Sequence, residues 1–212
     1  MTAVGAVPDP PEPSAIGARL REERERQGIT LREIAARIGV SKSLISQIER
    51  DKVTPSVGTL YALVSQLGLT MGDVFPARDA PAGPRQVWAA AQPAGPTATP
   101  ETRAVITLES GVRWERLTAE RDPLVEYLYV VYPPGATSCP EDSLMRHGGK
   151  EYGYVIRGRL GVRIGFDEYE LGTGGSISFD SSSPHRLRAI GDEPAEAIWV
   201  VVGRQGDSRV PG

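Results

Sequence analysis

Lys42, Ser43, Ser46, Gln47 and Arg50 are cationic or hydrogen-bonding side chains in one short stretch, and Leu44, Ile45 and Ile48 between them fall on the opposite side of a helical turn. The chemistry open to such a polar face is recognition of base edges. An amide can meet an adenine edge in bidentate fashion, an ammonium can donate to guanine, and small hydroxyls allow close approach. The chain has only two histidines, His147 and His185, and one cysteine, Cys139. A single cysteine cannot form an intramolecular disulfide, so nothing points to an oxidising compartment.

Those five side chains can act together only if neighbouring helices hold their helix in place. The stretch AIGARLREERERQG reads as a first helix, with Ile16 and Leu20 on its apolar side and Gly28 at its end. Thr30 caps TLREIAARIGV, and Glu33 three residues on completes a capping box. Leu31, Ile34, Ala35 and Ile38 give the buried stripe of this second helix. Gly39 turns the chain, and Ser41 caps the third helix, SKSLISQIERD. Thr54-Pro55-Ser56 breaks and restarts the pattern, and SVGTLYALVSQLG follows with Val57, Leu60, Leu63, Val64 and Leu67 inward. A helix, a glycine-containing turn and a second helix with a polar outer face is a geometry that sets the second helix in a major groove. Charge agrees. Residues 15–78 hold ten Lys/Arg and seven Asp/Glu, a net +3, so the rest of a chain whose total is -3 stands near -6.

The stretches T-L-R-E-I-A (30–35), G-V-S-K-S-L-I-S-Q-I-E-R (39–50) and T-P-S-V-G-T-L (54–60) resemble the lambda-repressor-like, or xenobiotic-response-element type, helix-turn-helix family. The resemblance implies base reading by Lys42, Ser43, Ser46 and Gln47, with Ser41 at the head of the same helix. It implies phosphate contacts from Thr30, Arg50 and Lys52, and a structural role for Glu49. The implied partner is a double-stranded DNA operator. Such domains act in pairs, because one recognition helix covers a half-site and two heads need centres about 34 Å apart, or a multiple of that.

Residues 1–14 hold four prolines and read as a disordered arm. The helical domain is expected over 15–76. A Pro/Ala/Gly-rich linker follows over 77–100, with Trp88 in it as an anchor onto one of the domains. From 101 to 204 the texture becomes short β-branched and aromatic runs, AVITL, EYLYVVY, YGYVI, GVRIGF, SISF and AIWVVV, which is the pattern of an all-β sandwich or barrel. Residues 205–212 read as a flexible tail. The expected fold class is α+β in two domains. No apolar run approaches the roughly 18 residues of a membrane span, and the start MTAVGAVPDPPEPS lacks the pattern of a secretory signal, so a cytoplasmic protein is expected.

In the β half, H147-G-G-K-E151-Y-G-Y-V-I-R-G158 and G174-G-S-I-S-F-D-S-S-S-P-H185 resemble the two motifs of the cupins, a double-stranded β-helix or jelly-roll barrel. In that family the motif histidines and glutamate converge inside the barrel on a divalent metal. Here His147, Glu151, Gly158, Gly174 and His185 are in register. Met145 stands where the first family histidine would be, Cys139 replaces a glycine, and Asp180, Ser182 and Ala189 replace a proline, a glycine and an asparagine. The resemblance therefore leaves a ligand set of His147, Glu151 and His185, suited to iron, manganese, nickel, zinc or copper, or else a hydrogen-bonding floor without metal. Both of the chain's histidines occupy motif positions.

Strand alternation turns Glu151, Gly153 and Val155 inward and Tyr152, Tyr154 and Ile156 outward. An effector pocket is expected from Met145, His147, Glu151 and His185, with Tyr127 and Tyr129 of EYLYVVY lining its mouth or filling the barrel core, and with Arg146 and Lys150 beside it, either to attract an anion or as part of a solvated loop. Cys139 reads as a passive loop residue. Together the two resemblances imply a transcriptional regulator, more commonly a repressor, that senses a small-molecule effector and dimerises through the barrel with its heads on long linkers. The competing implication is an enzyme. A mononuclear non-haem iron epoxidase of phosphonate metabolism combines the same two domains, with a histidine and a glutamate four apart and a later histidine.

Overall fold

The computed structural model describes residues 16–75 and 95–203. The arm, most of the linker with Trp88, and the tail lie outside them. Five helices come first: α1 (Ile16–Arg26), α2 (Leu31–Ile38), α3 (Lys42–Ile48), α4 (Val57–Gln66) and the short α5 (Met71–Val74). Local chemistry sets their starts. At α2 the Thr30 hydroxyl accepts from Glu33 N–H at 3.2 Å, and the Glu33 carboxylate takes the Thr30 N–H at 2.7 Å, the reciprocal box expected. Ser41 Oγ accepts from Leu44 N–H at 3.1 Å, and Ser56 Oγ from Thr59 N–H at 3.2 Å. The first turn of α1 is closed from a distance, with Gly17 N–H donating to Asp51 beyond α3.

Nine strands follow: β1 (Val105–Thr107), β2 (Arg113–Arg116), β3 (Val125–Tyr132), β4 (Lys150–Arg157), β5 (Leu160–Ile164), β6 (Asp167–Leu171), β7 (Ser176–Asp180), β8 (His185–Ala189) and β9 (Ala195–Val202). They pair antiparallel in a six-stranded sheet of order β1-β2-β3-β9-β4-β7 and a three-stranded sheet of order β6-β5-β8. The inner faces alternate as a two-residue period requires, with Leu128, Val130 and Tyr132 of β3 and Ala195, Ala197, Trp199 and Val201 of β9 buried. This is the two-domain α+β arrangement read from the sequence.

The heads do not stand off on their linkers. The helical half is seated on the barrel, and one hydrophobic cluster runs from Ile16 through Tyr61 and Phe75 to Trp114, Tyr132 and Trp199. The N-terminus of α4 makes the closest contact. Gly58 N–H, one of the donors a helix start leaves without an internal partner, donates to Ser138 O of the barrel at 2.9 Å. A Cβ on Gly58 would stand 3.2 Å from Cys139 Cβ, so the missing side chain is what lets the helix lie this close. Glu109 N–H donates to Pro55 O at 3.0 Å, Arg121 pairs with Asp73, and the Arg116 guanidinium lies over the Phe75 ring. Among the described residues no helix is long and apolar enough to cross a membrane.

Candidate functional site

Two separate surfaces carry the predicted site residues. On the helical half, Ser41, Lys42, Ser43, Arg50 and Lys52 are exposed, and Ser46 and Gln47 are half-buried along the same side of α3. Leu44, Ile45 and Ile48 face the core, as expected. Thr30 is exposed at the start of α2. Ser41 and Thr30 use their hydroxyl oxygens as helix caps, and a hydroxyl that accepts still carries a proton to donate. Arg50 folds back on its own helix, its Nε on Ser46 O at 2.8 Å and a terminal nitrogen on Ser46 Oγ at 2.9 Å. Glu49 is buried and takes two bonds from Arg24, at 2.6 and 2.7 Å, which gives it a structural role.

The second surface is inside the barrel, where both sheets contribute. Glu151 is the second residue of β4, His147 lies in the turn just before it, and His185 opens β8 in the other sheet. All three are buried and their nitrogen and oxygen atoms lie within 4.8 Å of one another. Glu151 Oε1 is 3.0 Å from His147 Nε2 and 3.1 Å from His185 Nε2, yet none of the three atoms is in a directed hydrogen bond.

The reason lies one bond away. His147 Nδ1 is 3.0 Å from Gly148 O, and His185 Nδ1 is 2.9 Å from Ser183 O. A carbonyl only accepts, so each Nδ1 carries the ring proton, and in the neutral imidazole each Nε2 is a bare lone pair. Glu151 Oε2 is taken by Trp199 Nε1–H at 2.6 Å, which leaves Oε1 for the site. Burial pushes the Glu151 carboxyl up, but a proton held at Nε2 of His147 or His185 would hydrogen-bond it and outweigh burial, holding the group below the ordinary carboxylate range.

With both rings neutral, three acceptors therefore face one point with no donor among them. Such a cluster calls for a proton or a cation. Ligands about 2.1 Å from a first-row metal and roughly at right angles to one another stand about 3 Å apart, which matches the spacings from Oε1. The site could hold a divalent metal, and its outer partners have the form that orients metal ligands.

Two neighbours make this possible. Trp199 lies directly across the sheet from Gly153, where any Cβ would come within 2.1 Å of the indole. Gly153 leaves room for the ring that fixes Glu151. Tyr61, from α4 of the helical half, is buried and stacks face to face on His147, with centroids 4.3 Å apart and planes 12° apart. Beside Glu151 lies a cavity of about 10 Å³ lined by Tyr61, Trp114, Tyr132, Met145, Glu151 and Trp199 with two aliphatic neighbours. Room for a water begins at about that volume.

Other expectations need correction. Tyr127 and Tyr129 are not at the barrel mouth. Leu128, Val130 and Tyr132 take the inner face of β3, so both tyrosines point out, and Tyr129 bonds Glu196. Arg146 is exposed, and Lys150 lies over the ring of Tyr152 on the outer surface. Met145 does line the cavity, and its N–H donates to His185 O at 2.9 Å. Cys139 is buried, and burial pushes its thiol pKa up, which suits an unreactive residue. Tyr61, Trp114, Tyr132 and Trp199 were not expected at the site. Strand alternation in AIWVVV could have turned Trp199 inward, opposite the glycine of EYGYV. Tyr61 follows Val57 by four residues on the buried stripe, but no local signal aims it at another domain.

Comparison with known proteins gives the same division. The pattern of the helix-turn-helix family matches residues 20–74, and that of the cupin domain matches residues 128–201. The HTH-type transcriptional regulator PuuR of Escherichia coli is 29% identical over 173 residues, 81% of this chain and 85% of its own. The HTH-type transcriptional regulator y4dJ of Sinorhizobium fredii is 35% identical over 71 residues, 33% of this chain and 92% of its own. The crystal structure of a helix-turn-helix family transcriptional regulator from Vibrio cholerae aligns with a TM-score of 0.61 at 23% identity, over 89% of this chain and 95% of that one.

Proposed function

Since the chain belongs to the helix-turn-helix family of transcriptional regulators and carries a cupin domain, we propose that it reads a DNA operator through α3 and answers to a small-molecule effector bound with a divalent metal at His147, Glu151 and His185. The observation that carries the sensor half is the set of three buried lone pairs facing one point with no donor between them. A bound metal would be a Lewis-acidic centre with positions open to donor atoms of an effector.

The chain's own residues do the rest. Gly148 O and Ser183 O fix the tautomers, Trp199 fixes Glu151, and the aromatic walls leave room for little more than one water. On DNA, Lys42, Ser43, Ser46 and Gln47 read base edges, with Ser41 at the head of their helix. Thr30, Arg50 and Lys52 meet phosphates. A homodimer joined through the barrels presents two heads to one operator in the cytoplasm, and repression is the sense we assign.

The same three-ligand set also suits the second reading, an iron-dependent oxygenase, because it leaves coordination positions open. One experiment separates the two. Purified protein is analysed for metal, and its binding to the DNA upstream of its own gene is measured with and without Gln47→Ala. The regulator reading expects a divalent metal and a footprint, and a loss of about 10- to 100-fold in DNA affinity for the variant with metal content unchanged. Iron, dioxygen consumption and no footprint would overturn it in favour of the oxygenase.

A further inference from the structure

The barrel cavity is closed by a residue of the other domain. Tyr61 is 4% exposed although it belongs to the helical half. Its ring lies flat on His147, meets Trp114 edge to face at 5.5 Å, and its hydroxyl donates to Glu126 at 3.3 Å. Its helix is seated by the Gly58 N–H bond to Ser138 O and by the glycine's close approach to Cys139. The cavity that Tyr61 and Glu151 line together holds little more than one water or ion.

We infer that Tyr61 is a wall of the barrel site supplied by the DNA-reading half, and that any ligand larger than a water reaches His147, Glu151 and His185 by moving α4 off the barrel. This rests on the reading above that the barrel site takes a ligand. It adds the route by which occupancy is felt at the DNA. A compact ligand and a seated α4 compete for the same volume, so binding loosens the head. By reciprocity, DNA that favours the loosened head raises ligand affinity, and DNA that favours the seated head lowers it. The coupling needs no contact between effector and α3, because α4 packs on α2 and α2 on α3 in one bundle. Tyr61 is thus a positioning residue, holding the ring of a candidate ligand and the pose of a helix at once.

Two measurements on the full-length protein test this. Cys139 lies under α4 and reports on seating without any ligand. Its labelling by a thiol reagent should be at least about tenfold faster in Tyr61→Ala, which loses the stacked ring, and close to the native rate in Tyr61→Phe, which keeps it. The second measurement is the release of bound cobalt(II) to a chelator. Tyr61→Ala should again accelerate it by about tenfold or more.

Gly58→Cys supplies the converse. A Cβ there stands 3.2 Å from Cys139 Cβ, a few tenths of an ångström short of the about 3.5–4.5 Å of a disulfide. Oxidised, this variant should hold cobalt at least about tenfold longer than when reduced by a phosphine. If labelling and release in Tyr61→Ala stay within about twofold of native, and oxidation of the locked variant changes nothing, the site opens elsewhere and the inference falls. If no form of the protein binds cobalt, the metal reading fails by itself, and the labelling comparison still decides whether Tyr61 seats the head.

Discussion

The two halves of this chain bury charge in opposite ways. In the helical half Glu49 and Arg24 form a closed account: both carboxylate oxygens take a guanidinium N–H, and the third arm of Arg24 reaches Ile29 O at 2.8 Å. In the barrel Glu151 has one oxygen bonded to Trp199 and the other turned toward two imidazole lone pairs. The first arrangement needs nothing more and holds a fold. The second is complete only when something positive enters, which is how a receiving site differs from a brace even where both are buried carboxylates.

The largest expected effect would break that contrast at its structural end. Glu49→Ala leaves the Arg24 guanidinium buried without its partner, and removing one member of a buried pair costs about 3–5 kcal/mol. Chemical denaturation should show that loss, in a variant whose DNA-facing residues are untouched. A loss below about 1 kcal/mol would mean that the pair is solvated and the contrast is one of geometry only.

The barrel end should respond differently. At pH 8, where ordinary imidazoles are neutral, Glu151→Gln in metal-free protein removes one of three opposed acceptors. Stability should change by less than about 1 kcal/mol, since the amide oxygen can still accept from Trp199. Added metal is where the difference appears. At a concentration of 100 times its Kd, a divalent ion should stabilise the native protein by about 2.7 kcal/mol and the variant by much less. Thermal melts with and without cobalt(II) measure both arms. A large loss in the metal-free variant, with no metal response in the native protein, would make Glu151 a second brace.

How far each half could be read from sequence follows from the range of its interactions. The capping residues Thr30, Glu33, Ser41 and Ser56 act within three positions of themselves, so their spacing alone announces the helices. Glu151, Gly153 and Val155 turn inward by the two-residue period of one strand. The ligand trio was legible only because its spacing resembles a family motif, since β4 and β8 belong to different sheets. Tyr127 and Tyr129 were misplaced because two tyrosines on one face fix a period but not which face is the inner one. Leu128, Val130 and Tyr132 decide it by packing against residues far along the chain. Tyr61 was invisible for the same reason: its partners His147 and Trp114 lie on elements that a local pattern cannot bring to it.

The smallest effect sharpens the legible end. Thr30 has two assignments, a cap for α2 and a contact to phosphate, and they predict different variants. Thr30→Ala removes the oxygen that Glu33 N–H reaches, at a cost of about 1 kcal/mol. Thr30→Ser keeps that oxygen and should restore most of the stability. The Thr30 backbone N–H, and then its hydroxyl, hold Glu33 below its ordinary value of 4.5. A carboxylate depressed on folding contributes stability above its unfolded value and loses it as pH falls, so this half of the box acts at neutral pH and fades below about 4.5. DNA affinity separates the roles. If Thr30 only caps, Thr30→Ala should weaken DNA binding no more than another variant of α2 with equal loss of stability. If its hydroxyl turns its one proton from the Glu33 carboxylate to a phosphate on DNA, the loss should exceed that control, should be the same for any DNA sequence, and should be recovered by serine.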